Sequence, residues 1–219
     1  MTRESNSAFL AGNGAGLIRE IALAKRVQQA LERLYQLDSA PSVDAFMAPA
    51  ESGEREALLV RETGDGDLEL KLRVPFLQRR SFDIACGTDL DPMCQIIEGV
   101  SHFVYIAHRA SREREATQLE LELQAEVDKY VVLAASLPTL DVRTSRTLRE
   151  RLFEDISFEH DEASELGERY RVANQLALRF VRRLERDYIS ANRFAEMRSS
   201  LRAFYQMGQE DKIRVSRAA

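Results

Sequence analysis

Residues Thr117 to Tyr130, TQLELELQAEVDKY, decide the fold. The stretch opens by alternating apolar and acidic side chains, Leu119, Glu120, Leu121, Glu122 and Leu123, as a half-buried strand does. Two features argue for a helix instead. Thr117 and Glu120 have the S/T-x-x-E spacing of a helix start, and the varied run from Ala125 to Ala135 is too long to continue the alternation as a strand. The reading is a helix over 117–136, stopped before Pro138. At about 100° per residue, Leu119, Leu123, Val127, Tyr130, Leu133 and Ala134 share one arc, and Leu121, Ala125 and Val132 a second. A helix apolar on two sides lies inside a domain. Glu126 projects into the middle of the first arc, with Glu122 at its margin, so acids are expected inside the protein.

The flanking chain supplies what would pack around this helix. DLDPMCQIIEGVSHFVYIAHRAS reads as a second central helix, 92–109, with Asp91 and Pro92 at its start. Met93, Ile96, Ile97, Val100, Phe103, Val104 and Ala107 fall on one side of it, and Gln95, Glu98, His102 and Arg109 on the other. Leu68, Leu70, Leu72 and Val74 alternate with Glu69, Lys71 and Arg73, which predicts a β-hairpin over 56–75 turning at TGDGD. RRSFDIA is a candidate third strand. Helical spacing from Leu17 to Leu37, interrupted by Gln28, predicts a helix that the Pro41 and Pro49 segment ends. Residues 1–16, rich in Gly, Asn and Ser, read as a flexible N-terminus. Beyond Pro138 three helical pieces make a basic C-terminal arm, 139–219. The expected fold is α+β and predominantly helical: a hairpin, or a three-stranded antiparallel sheet, on the helical core of a 17–137 body, followed by that arm.

A hydrophobic share of 44% against 31% charged residues supports a folded core over global disorder. From Arg169 onward twelve basic residues face five acidic ones, about +7, which leaves about −12 for the rest of a chain of net charge −5. Two cysteines, Cys86 and Cys94, are too few for a disulfide framework and read as reduced, packed thiols, consistent with a cytoplasmic chain. No secretory leader or transmembrane segment is expected, and so no membrane partner.

Two constellations are candidates for chemistry. Glu98 and His102 are four residues apart, as are Glu122 and Glu126, so neighbouring helices each offer a paired set. Imidazole with carboxylate suits zinc, manganese or iron, which makes Glu98, His102, Glu122 and Glu126 the candidate metal ligands. Glu98, His102 and Glu126 are the candidate acid–base groups. The plain alternative is a solvated Glu98–His102 pair, with Glu126 met by an arginine such as Arg109. Arg179, Arg182, Arg183, Arg186 and Arg193 form the second constellation, a stripe suited to phosphates or to an acidic partner. TGDGD lacks the spacing of a calcium loop, and neither a nucleotide-binding loop nor a nucleophile elbow occurs.

The leading expectation is a cytoplasmic, non-catalytic interaction or regulatory subunit, a homo-oligomer or part of a hetero-complex, with no cofactor. The second is a small helical enzyme using the carboxylate and histidine cluster. The third is a nucleic-acid-binding factor using the arginine stripe.

Overall fold

The computed structural model describes residues 17–38, 40–51, 54–62, 68–77, 90–155, 161 and 164–218. Among these are seven α-helices and one three-stranded sheet. The helices are α1 (Ile18–Tyr35), α2 (Leu90–Ala110), α3 (Gln118–Ala135), α4 (Val142–Arg149), α5 (Glu165–Asp187), α6 (Phe194–Gln206) and α7 (Gln209–Arg217). The strands are β1 (Met47–Pro49), β2 (Ala57–Glu62) and β3 (Leu68–Val74). The predominantly helical α+β expectation holds. None of the described helices is long and apolar enough to cross a membrane.

The Thr117 stretch is a helix. The Thr117 side chain accepts a hydrogen bond from the Glu120 amide at 3.1 Å. Glu120 does not turn back to complete a capping box; its side chain runs into the core. From Glu120 to Asp128 every residue of α3 is buried. Five of those nine are polar, and they alternate: Glu120, Glu122, Gln124, Glu126 and Asp128. On a helix a step of two residues turns by about 200°, so period-two polarity splits into two stripes on opposite sides. Glu120, Gln124 and Asp128 make one stripe; Glu122 and Glu126, joined by Lys129, make the other. The apolar arcs lie between them.

This helix needs neighbours on all sides, and it has them: α1, α2, α4, α5 and α7 all pack against it. From α2, Ser101 and Tyr105 reach the first stripe, while Glu98 and His102 flank the second. Residues of α2 expected on a polar outer side are therefore inside: Gln95, Glu98 and Arg109 are all buried.

The sheet has the strand order β1-β3-β2. The β2–β3 hairpin is antiparallel, as the alternation predicts, and Leu72 and Val74 face the core. The third strand differs from expectation. It is β1, and it runs parallel to β3, pairing Met47 with Leu72 and Pro49 with Val74. Proline is tolerated there because β1 is an edge strand. RRSFDIA and the TGDGD turn lie outside the described residues, as do Cys86 and the N-terminal segment. Gly99 lets the sheet approach α2: a Cβ there would sit 2.6 Å from Leu72 Cδ1. Gln28, the polar exception on α1, is buried because it ties down the chain after the helix. Its Nε2 donates to the Pro41 carbonyl at 3.0 Å and its Oε1 accepts from the Val43 amide at 2.9 Å.

The C-terminal segment is helical, as expected, and it packs on the body: α5 against α3, α6 against α1, and α7 against α3 and α5. Helix α7, which follows Gly208, was not anticipated. Its anchor is Lys212, fully buried. The Lys212 Nζ donates to Gln124 Oε1 at 2.7 Å and to the Tyr105 hydroxyl at 3.1 Å, 4.5 Å from the centre of the Tyr105 ring. Asp128 completes the network, accepting from Ser101 at 2.6 Å, Gln124 at 2.9 Å and Tyr35. Every member of this stripe is hydrogen-bonded.

Burial pushes the Lys212 ammonium down from 10.5 to about 7. Between those values the unfolded chain binds more protons than the folded one, so this residue makes stability rise with pH from about 7 upward. Thermal melts from pH 6 to 10 are expected to show the wild type gaining on Lys212→Met by at least about 1.4 kcal/mol, the equivalent of one pH unit. Parallel pH profiles for the two proteins would show that the amine is not desolvated.

Candidate functional site

The second stripe of α3 is less completely matched. Glu98 and His102 stand one turn apart on α2, opposite Glu122 on α3, and one ligating atom from each lies within 4.8 Å of the others. His102 Nε2 is 3.6 Å from Glu122 Oε2. Arg169 of α5 approaches the other oxygen of Glu122, with its Nε at 4.0 Å. Three of the four candidate ligands are thus brought together.

Glu126, the fourth, is buried but engaged elsewhere. Its Oε1 accepts from Lys129 Nζ at 2.8 Å, and the same ammonium is 3.0 Å from Glu98 Oε2. The partner is a lysine one turn along the same helix, not the expected arginine. Arg109 points into the other stripe, where it binds Glu120, the Tyr105 hydroxyl at 2.8 Å and the Met207 carbonyl at 3.1 Å. Nor is the Glu98–His102 pair solvated: Glu98 is 4% exposed and the His102 side chain 14%.

Glu56, just before β2, was missed by sequence reasoning. Its backbone amide donates to Gln95 Oε1 at 3.2 Å, and its Cγ lies 3.6 Å from where a Gly99 Cβ would be. This holds the side chain on the Glu98 side of α2. Its Oε2 is buried with no hydrogen-bond partner; the nearest cation, Arg55 Nε, is 3.9 Å away. No periodic pattern marks a residue between a loop and a strand, so the sequence carries no signal for it.

The histidine is set up as a ligand. Its Nε2 is buried without a hydrogen-bond partner. A neutral ring protonated on Nδ1 would present the Nε2 lone pair to Glu122 Oε2, 3.6 Å away. A neutral imidazole with an unengaged nitrogen is the form that ligates a metal. Burial also lowers the His102 pKa, which keeps the ring neutral. Donor atoms about 2.1 Å from one tetrahedral ion lie about 3.4 Å from each other, so the widest separation in this group, within 4.8 Å, would close by up to about 1.4 Å on binding.

The carboxylates respond to burial in different ways. Burial alone would raise Glu98, but the Lys129 ammonium reverses this and holds it below the usual range. Glu126 is raised by burial in spite of Lys129. Glu56 is raised by burial and by the neighbouring Glu98 charge. Burial, reinforced by Glu98, pushes Glu122 up to about 8. Burial pushes the thiol of nearby Cys94 up to about 12.

Four of the five stripe arginines, Arg179 excepted, pair with three acids of their own surface. Arg182 is 3.2 Å from Glu154, Arg183 and Arg186 are 3.4 and 2.7 Å from Asp187, and Arg193 is 3.2 Å from Glu196. Of the other histidines, His108 packs against the Tyr205 ring at 5.5 Å and His160 lies outside the described residues. Comparison of the chain with family models, with curated proteins and with solved structures finds no match.

Because Glu122 is raised from 4.5 to about 8, the folded chain holds its proton where the unfolded chain has lost it. The stabilising contribution is complete below about pH 4.5 and is lost as pH rises through 8. In chelator-treated protein, Glu122→Gln is expected to equal the wild type in midpoint at pH 4.5. At pH 9 it should exceed it by about 1–2 kcal/mol, or roughly 2–8 °C for a chain of this size. A variant that loses stability equally at both pH values would place the charge of Glu122 in a satisfied ion pair.

Proposed function

We propose that this chain is a metal-binding regulatory or interaction protein, in which one divalent first-row cation held by Glu98, His102 and Glu122 clamps α2 to α3. The observation that carries this reading is the buried His102 Nε2, without a hydrogen-bond partner, 3.6 Å from a Glu122 oxygen. One imidazole and two carboxylates suit zinc, manganese or ferrous iron better than calcium or magnesium, which prefer all-oxygen sites. The enclosure of the cluster favours a closed, structural or regulatory site over a catalytic one, which keeps a position open to substrate.

Zinc or manganese is expected to raise the midpoint of chelator-treated wild type by about 2.7 kcal/mol at a hundredfold excess over Kd, roughly 5–11 °C. His102→Ala should weaken binding by about 100-fold or more, beyond the range seen for losing an outer-shell partner. A midpoint that zinc, manganese and ferrous iron all leave unchanged ends the metal reading. Water-proton relaxation of the manganese form separates the catalytic alternative, because only an open site exchanges a coordinated water with bulk.

A second observation favours association with another chain. β2 is an edge strand, and its Leu59 and Val60 are each 45% exposed, the kind of strand that another chain can extend. Sedimentation at micromolar concentration is expected to show a species heavier than the 24.9 kDa monomer, returned to monomer by Leu59→Lys with Val60→Lys. A wild-type monomer at moderate and low salt removes self-association.

A further inference from the structure

The cluster contains more donors than one ion needs. Glu98, Glu122 and His102 approach one another within 4.8 Å, Lys129 links Glu98 to Glu126, and Glu56, just before β2, adds a fourth carboxylate side chain beside Gly99 of α2. Centres built in helical bundles from four carboxylates and imidazole hold two cations rather than one. Glu98 is positioned as the bridge. It belongs to the group with His102 and Glu122, and its Oε2 is also 3.0 Å from Lys129 Nζ. The same ammonium is 2.8 Å from Glu126 Oε1. Glu56 adds the independent sign that this half accepts a cation. Its side chain is 8% exposed, with a carboxylate oxygen that has no hydrogen-bond partner, and it is held on the Glu98 side of α2.

We propose that the Lys129 ammonium occupies the second of two cation positions in this cluster, so that the wild type takes one divalent ion and a chain with a small neutral residue at 129 takes two. The inference rests on the metal-binding reading above. Two ions bridged by a carboxylate sit about 3.5–4 Å apart, each on its own oxygen. An ammonium between Glu98 and Glu126 supplies one positive charge at the second of those places without a diffusible ion. A covalently attached cation cannot be chelated away, so half of the cluster stays neutralised whatever the metal supply. The other half, Glu98, His102 and Glu122, is left to respond to it. The ligand class is a first-row divalent ion such as Mn(II) or Zn(II), which accepts mixed oxygen and imidazole donors.

The test is metal stoichiometry by native mass measurement after dialysis of chelator-treated protein against Mn(II), repeated with Zn(II). The wild type is expected to bind one equivalent and Lys129→Ser two, with the second lost again in Lys129→Ser combined with Glu126→Gln. Lys129→Met, which fills the same space without charge, is expected to keep one. One equivalent in Lys129→Ser, shown to be folded by circular dichroism, overturns the inference. Two equivalents in the wild type also overturn it, and that arm needs no variant. A wild type that binds none fails the metal-binding reading itself, a different result from either of these.

Discussion

Nine consecutive buried residues on α3, five of them polar, set the terms for the whole structure. Taking an ionised side chain out of water costs several kcal/mol unless the protein supplies partners, and α3 does this repeatedly within three turns. The chain meets the cost by surrounding the helix. The about 200° step between alternate residues sends Glu120, Gln124 and Asp128 one way and Glu122 and Glu126 the other. Helices that pack on α3 must therefore bring donors as well as apolar surface. Tyr35 comes from α1, Ser101, Tyr105 and Arg109 from α2, and Lys212 from α7. The position of α7 follows from this need, since it carries the lysine that Gln124 accepts from.

The two stripes differ in how fully they are matched, and the difference separates a structural network from a candidate site. Around Glu120, Gln124 and Asp128 each of the three α3 side chains has a hydrogen-bond partner, from Arg109, Tyr105, Lys212, Ser101 or Tyr35. Around Glu122 and Glu126 a single lysine serves two carboxylates, while Glu56 Oε2 and His102 Nε2 are buried without partners. Leaving a buried acceptor unsatisfied costs about 1–3 kcal/mol. Two such atoms beside surplus carboxylates make a site that gains from a divalent cation, whereas the first stripe would gain nothing from one.

Much of this was legible in residue spacing, and the failures have physical causes. The i, i+4 pairs Glu98/His102 and Glu122/Glu126 reported faces of single helices, and because α2 packs alongside α3 three of those four groups meet. Lys129 escaped notice as a partner because a lysine in an apolar run usually extends to solvent, whereas here it lies along its own helix between two acids. Arg109 does not reach Glu126 because it sits over the opposite stripe. Glu56 depends on a tertiary contact, the approach of β3 that Gly99 permits, and no local pattern encodes it. β1 is three residues in a proline-flanked loop, and it exists because β3 has an open side for it. The nine-residue α7 is mostly charged, so its buried face rests on Lys212 and Ser216 with little apolar periodicity to reveal it.

The metal site at His102 turns on the state of one ring nitrogen. Nitrogen-15 NMR of histidine-labelled protein, with the His102 signals assigned by their loss in a His102 variant, reports that state directly. At pH 7 in chelator-treated protein the expected result is a neutral ring protonated on Nδ1, with an unprotonated Nε2 whose resonance shifts when one equivalent of zinc is added. A ring protonated on Nε2, or a charged imidazolium indifferent to zinc, would contradict it.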